Sequence, residues 1–340
     1  MINDPTLFRH RTRGAGRPQV VLYGNGLERV EGQIGWGELL NVLRAPGVDE
    51  LVDGDARWQI PFPLLYQLLA TPVPARPTLT RDDVEDEGRR LRDGLSRLGS
   101  GHVELLDRLP ALGADHVLTT NYSYCLEKSF LPGRDFSKGR ARTAARFCLL
   151  APGDDGRTRS ETCYRLHTGY SASNADGSAV GLWHVHGEVS VPDGVVVGHD
   201  RYGRLLGRIQ ECCSARRYRG RPGGAELRAF TSWPELFLFG DVYVVGLGLE
   251  TCETDLWWLL RRKQRERYAD GRVYFFDNGV GHGLRDRLLV SHGVAINSGV
   301  KKVPGDYAAF YERALDRIGA LIRENRREGA PRMLQGFRFT

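Results

Sequence analysis

The stretch Gln19-Val20-Val21-Leu22-Tyr23, running directly into Gly24-Asn25-Gly26, decides the fold. Its largely apolar run does not alternate with polar residues, and it stops at a glycine turn. Such a run suits a strand buried on both faces, as in a parallel sheet covered by helices. Similar short runs recur at His116–Thr119, 195–197, 242–245, Val273–Phe276 and Val294–Ile296. Between them, residues 39–43, 62–69, 83–98, 103–109, 256–268 and 307–322 space their apolar side chains at helical intervals. Strands alternating with helices predict an α/β fold, a Rossmann-like parallel sheet flanked by helices whose crossovers pass through those helices.

Two regions break this rhythm. Residues 132–180 are rich in Gly, Arg and Ser, and residues 203–229 carry Arg216, Arg217, Arg219 and Arg221. Both are expected to be insertions, helical or loop-like, on the sheet scaffold. Residues 75–93 are strongly charged and read as an exposed helix with its lead-in. The expected organisation is a basic arm over 1–18, a nucleotide-binding domain over 19–300, and a C-terminal helix and tail over 301–340 packed on that same domain. No repeat, low-complexity tract or long linker interrupts it.

Composition excludes several classes. The 340 residues are 41% hydrophobic and 26% charged, which is ordinary for a globular chain. No apolar run approaches the roughly 18 residues of a membrane-spanning helix. The N-terminus lacks an apolar signal-peptide core, so a cytoplasmic location and no membrane partner are expected. Six cysteines occur without a CxxC pair, which suggests neither a zinc ribbon nor a disulfide framework. The net charge of +6 is carried mainly by arginine. It reflects either an affinity for anionic ligands or a general arginine bias, and direct nucleic-acid binding is not expected.

Four motifs fall at strand ends. Gly24-Asn25-Gly26 lets backbone N–H groups approach a pyrophosphate, or else is a plain tight turn; a helix is expected to begin near Trp36. Thr119-Thr120-Asn121-Tyr122 places an amide that can donate to a ribose or nicotinamide group, or else caps a following helix. Trp183-His184-Val185-His186-Gly187 offers a neutral imidazole as a base. Its two histidines are expected to share a strand face, so a metal site with His199 or Asp200 is a competing reading, as is a pair of satisfied strand histidines. Gly246-Leu247-Gly248-Leu249-Glu250 again permits close backbone contact, with Glu250 as an acceptor for ribose hydroxyls. Asp277-Asn278, after a further strand, either bonds the adenosine ribose or forms a turn.

Taken together and in order, these motifs resemble the sirtuin-like family of bacterial antiphage-defence NADases, a branch related to protein deacetylases. Gly24-Asn25-Gly26 is similar to that family's glycine turn, and Gly32 with Trp36 to its GxPxW segment. Thr119–Tyr122 resembles TTNYD, and His186-Gly187 with the segment 198–202 resembles HG and its downstream (D)xY. Gly246-Leu247-Gly248 with Asp255, Trp257 and Trp258 resembles GxS…DxxW. The chain departs from the pattern at Glu28 (Ser), Ile34 (Pro), Ser123 (Asp) and Gly248 (Ser). The four-cysteine zinc module of the deacetylases is absent, which points to the zinc-free NADase branch.

The resemblance implies an NAD+ hydrolase that releases nicotinamide and ADP-ribose, with NAD+ as substrate and no metal. Asn121 would orient the nicotinamide ribose and the attacking water, and His186 would act as general base. Gly24, Asn25, Gly26, Thr119, Thr120, Tyr122, Gly246, Gly248, Glu250 and Asp277 would contact the dinucleotide. It further implies an abortive-infection effector that depletes NAD+, a homo-oligomer, and a protein activator such as a HerA-type ATPase. The alternative is a non-catalytic sensor of NAD+ or ADP-ribose; a protein deacylase is a weaker third reading.

Overall fold

The computed structural model describes residues 16–52, 54, 56–71, 80–98, 101–149, 165–213, 230–266, 269, 271–279 and 283–328. Eight strands form one sheet: β1 (Gln19–Tyr23), β2 (His116–Thr119), β3 (Arg146–Cys148), β4 (Thr168–Ser173), β5 (Ala179–His184), β6 (Asp241–Val245), β7 (Val273–Phe276) and β8 (Val294–Ile296). Their order is β3-β4-β5-β2-β1-β6-β7-β8. The run from β5 to β8 is parallel throughout, while β4 is antiparallel to both β3 and β5. The fold is therefore α/β and Rossmann-like, as the strand–helix alternation predicts.

The apolar runs explain the layering. All five residues of β1 are buried, because alternate side chains enter cores on opposite faces. Val20, Leu22, Val242, Val244 and Phe275 pack with residues of three helices: α7 (His199–Cys212), α8 (Trp233–Phe239) and α9 (Thr254–Arg265). Val21, Tyr23, Val117, Tyr243 and Val245 face the other way. They meet α5 (Cys125–Phe130), the 3-10 helix Glu104–Leu112 and the last helix, α11 (Tyr307–Glu328). In α11, Phe310, Ala314, Leu315, Ile318 and Ile322 form a completely buried helical stripe. Each large apolar side chain so buried contributes about 1.5–3 kcal/mol.

A third core lies between β1 and β2 in the chain. The helices α2 (Trp36–Leu43), α3 (Phe62–Ala70) and α4 (Arg81–Ser96) pack Leu40, Leu43, Leu65, Leu69, Leu91 and Leu95 together. Tyr122, Val195 and Val197 join this cluster and tie the helices to the end of the sheet. Thr80 caps α4 reciprocally with Asp83, which fixes where that charged helix starts.

Several expectations shift. Residues 195–197 are not a strand. They form a buried segment that accepts a bond from Tyr122 Oη at Val196 O (2.8 Å) and donates from Val196 N to His186 O (2.8 Å). Their apolar character reflects burial under the third core rather than sheet pairing. The region 132–180 supplies β3, β4 and the first residues of β5, whose Gly and Ser hide them from an apolar-run criterion. Most of α7 occupies 203–212, while Arg216, Arg217, Arg219 and Arg221 lie outside the described residues, as do 1–15 and 329–340. Arg17 is held to Asp241 at 3.2 Å. Among the described residues, no helix is long and apolar enough to cross a membrane.

Candidate active site

The chain runs from β1 to one side of the sheet and later returns to the other side through β6, so β1 and β6 flank the point where strand order reverses. Ligands of open α/β sheets usually enter there. Here the two glycine turns close on each other instead. Gly24 N donates to Val245 O (3.2 Å) and Gly26 N to Gly246 O (2.7 Å). A Cβ on Gly26 would lie 2.6 Å from Tyr311 Oη and 2.7 Å from Gly246 O. Gly246 sits at φ +63°, and a Cβ there would meet Leu27 Cδ1. Two N–H groups expected to cradle a pyrophosphate are thus already bonded to backbone carbonyls.

The opening lies one strand over, between the ends of β1 and β2 and the third core. A cavity of about 60 Å³, open to solvent on one side, is lined by residues of three segments: Asn25 and Glu28; Gln33, Ile34, Gly35, Trp36 and Leu39; and Thr120–Ser123, with Leu98 beside them. Trp36 stacks on Phe62 (5.6 Å between centroids) and meets Tyr122 edge-on (5.8 Å). Of the predicted site residues, Asn25, Thr120, Asn121 and Tyr122 line this cavity. Gly24, Gly26, Thr119, His186, Gly246, Gly248, Glu250 and Asp277 are not among its lining residues.

Asn121 does not cap α5, whose N-cap is Tyr124. Its backbone N–H is held by Thr119 Oγ1 at 3.0 Å. Its side-chain Nδ2 is buried without an acceptor at good geometry, although the amide approaches the Glu28 carboxylate closely enough to help hold it ionised. Glu28 was singled out in the sequence only as a departure from a motif. Among the described residues it is the one acidic or basic side chain lining the cavity, and it is 3% exposed. Tyr23 Oη donates to its Oε1 (3.2 Å) and Ser123 Oγ to its Oε2 (3.1 Å). Burial raises its pKa above the usual carboxylate value, partly offset by the approach of the Asn121 amide, by bonds from Ser123 and Tyr23 and by the nearby His184.

The two histidines of the third motif do not share a strand face, because β5 ends at His184. His184 packs against Tyr124 and Tyr170, whereas His186 packs against Tyr202. His184 presents Nδ1 to Asn121 O (2.8 Å) and Nε2 to Glu127 Oε1 (2.9 Å). Both partners are acceptors, so the ring must donate twice and carry charge. Burial works against that charge, but Glu127 outweighs it and the pKa is held up to about 9. His184 therefore cannot serve as a base at neutral pH. Its charge is further balanced by Glu188, which accepts from Tyr170 (2.6 Å) and Tyr124 (2.8 Å) and pairs with Arg165 (2.5 Å).

His186 has a different partner. Its Nε2 lies 2.9 Å from Asp255 Oδ2, and its Nδ1 is buried without a hydrogen-bond partner. Burial lowers its proton affinity, but Asp255 and then Glu253 outweigh this, leaving the pKa above the ordinary histidine value. Neighbouring Glu253 is also buried, and desolvation pushes its carboxyl up to about 7. The Asp255 partnership was missed in the sequence, where Asp255 entered only as part of a motif.

The remaining predicted contacts are engaged elsewhere. Glu250 is exposed, with its backbone N–H bonded to Glu253. Asp277 pairs with Arg285 at 2.5 Å, and Arg285 also donates to Gly248 O (2.8 Å). Asn278 clamps both backbone groups of Val303, farther along the chain (2.7 Å each), which is neither of the two roles expected for it. Among the described residues, no group of three His, Cys, Asp or Glu side chains is arranged to hold a metal ion. Neither family models nor the curated proteins provide a match to this chain.

Proposed function

We propose that the chain hydrolyses the nicotinamide–ribose bond of NAD+, releasing nicotinamide and ADP-ribose. The observation that carries this reading is Asn121: a buried amide nitrogen without a well-placed acceptor, lining a cavity at the sheet edge. A buried donor left unsatisfied costs about 1–3 kcal/mol, which a ligand carbonyl or hydroxyl would recover. The aromatic wall of Trp36 and Tyr122 suits a pyridinium ring. The ribosyl carbon then passes through an oxocarbenium-like state that water captures. Asn121 orients the ribose and the water. His186, its Nε2–H fixed by Asp255, keeps a lone pair on Nδ1 and is the assigned base. On this reading the protein is an antiphage effector of the cytoplasm that depletes NAD+. It works as a homo-oligomer under a separate activator of the HerA-type ATPase kind.

A second reading, a sensor that binds NAD+ or ADP-ribose without cleaving it, is favoured by two observations. The glycine-turn N–H groups are occupied, and His186 is not among the cavity-lining residues. Nicotinamide release and NAD+ binding, measured side by side on the full chain expressed with its genomic neighbour, separate the two. Hydrolysis abolished in Asn121→Ala with an unchanged melting temperature is the expected result. Binding without release from the wild type would replace the hydrolase by the sensor.

A further inference from the structure

We propose that Glu28 is a catalytic residue of the cavity, its carboxylate facing the ribosyl carbon and stabilising the positive charge that develops there. The proposal rests on the hydrolase reading above and goes beyond the Asn121–His186 pair assigned by it. A buried carboxylate in a cavity wall is costly unless something compensates its charge. Tyr23 and Ser123 each give it one hydrogen bond, at 3.2 and 3.1 Å, and Asn121 lies beside it. Among the described residues, neither lysine nor arginine lines the cavity to neutralise it. Two neutral hydroxyl donors leave acceptor capacity on both oxygens, since a carboxylate offers about four lone-pair sites.

The titratable groups that act on Glu28 come from three elements. On β1 there is Tyr23 and on α5 Cys125, both kept neutral by burial; the charged neighbours are the cationic His184 on β5 and Glu127 on α5. His184 is already committed to Glu127, so Glu28 is the carboxylate that the cavity wall presents. A negative, aromatic-lined cavity suits the cationic nicotinamide–ribosyl half of the dinucleotide rather than its phosphates.

The step balances without a further reagent. The bond between C1′ and the pyridinium nitrogen breaks, and its electron pair leaves with neutral nicotinamide. The positive charge moves onto the ribosyl group opposite the Glu28 carboxylate. Water adds to C1′ and loses its proton through the base to solvent. NAD+ and water thus give nicotinamide, ADP-ribose and one proton. An electrostatic partner preorganised in a water-poor site accelerates such a step because its charge does not have to reorient.

Glu28→Gln keeps the shape and removes the charge, and Glu28→Asp keeps the charge but withdraws it. NAD+ affinity is read by Trp36-dependent fluorescence quenching and calorimetry, turnover by nicotinamide release, and folding by melting temperature. In Glu28→Gln, kcat is expected to fall about 10²–10³-fold, the scale for losing one preorganised electrostatic group, while Kd for NAD+ rises by a smaller factor. Glu28→Asp is expected to lie between this variant and the wild type. The acidic limb of the wild-type pH–rate profile should vanish in Glu28→Gln. Active wild type with kcat retained in Glu28→Gln overturns the Glu28 assignment alone. A wild type that binds NAD+ but releases no nicotinamide from pH 5 to 9 overturns the hydrolase reading, and the catalytic assignment of Glu28 falls with it.

Discussion

His186 Nε2 lies 2.9 Å from Asp255 Oδ2, and neither side chain is exposed to solvent. The pair joins the turn after β5 to the first turn of α9, so it crosses between two segments that the chain order separates by 69 residues. Asp255 fixes one ring nitrogen as the donor and leaves Nδ1 as the only site able to take a proton from outside the pair.

Replacing Asp255 by Asn should therefore lower the His186 pKa, because the carboxylate is what overcomes the burial penalty. A histidine-specific NMR titration reads the shift directly. If His186 is the base, nicotinamide release should fall about 10²-fold or more in Asp255→Asn. Asp255→Ala should in addition lose about 1–3 kcal/mol of stability, since the buried imidazole N–H is left without its acceptor. A stability unchanged in Asp255→Ala would mean that the pair is open to water in solution.

His184 gives a pH prediction of definite sign. Its folded pKa, about 9, is above the ordinary 6.5, so the stability it contributes is complete below pH 6.5 and is lost as the pH rises through 9. Urea midpoints measured from pH 6 to 9.5 should decline over that window. Glu127→Gln should be less stable at pH 6 and show a flatter decline. Equal slopes in the two proteins would remove His184 as the source.

Glu253 runs in the same direction over a lower range. Its folded pKa is raised from 4.5 to about 7 by burial, so the folded state holds a proton that the unfolded state has released. Its favourable contribution is complete below pH 4.5 and disappears as the pH rises through 7. Glu253→Gln should accordingly be more stable than the wild type at pH 8 and indistinguishable near pH 4.5. Thermal melts at the two pH values decide it.

Gly246 tests the joined turns. At φ +63°, with Leu27 Cδ1 and Leu27 N against the position a Cβ would take, Gly246→Ala should lose about 1–3 kcal/mol through overpacking alone. Chemical denaturation measures it. Gly32→Ala is the control: its φ is +83° but nothing lies within 4 Å of a Cβ there, so it should carry only the backbone penalty.

Where the sequence was legible, the reason is physical. β1, β2, β6 and β7 are short apolar runs because both of their faces are covered, while β8 at the end of the sheet buries Val294 and leaves Ala295 exposed. β4, Thr168–Ser173, escaped notice because its serines and glycine break the apolar pattern; Gly169 is there because Phe147 and Leu182 O leave no room for a side chain. Residues 195–197 read as a strand because burial selects the same valines in a loop as in a sheet. In the site, Asn121 and its neighbours Thr120 and Tyr122 were visible as a strand-end motif. Glu28 was not, since a charged residue two positions past a glycine turn looks like solvent-facing surface until Tyr23 and Ser123 are seen to bond it. Which histidine meets which carboxylate depends on β5 ending at His184, a boundary that no residue type marks.

The mutual closure of the two glycine turns divides labour along the sheet. In many nucleotide-binding folds the place where strand order reverses both holds the halves together and admits the ligand. Here Gly26 and Gly246 seal that place, and the opening sits over β2 beneath the α2–α4 helices. The seam is thus free to be rigid, and the cover over the cavity can accumulate substitutions without loosening the strands beneath it. Substitutions at Trp36 and Leu39 of α2 reshape the cavity while the register of the central strands stays fixed.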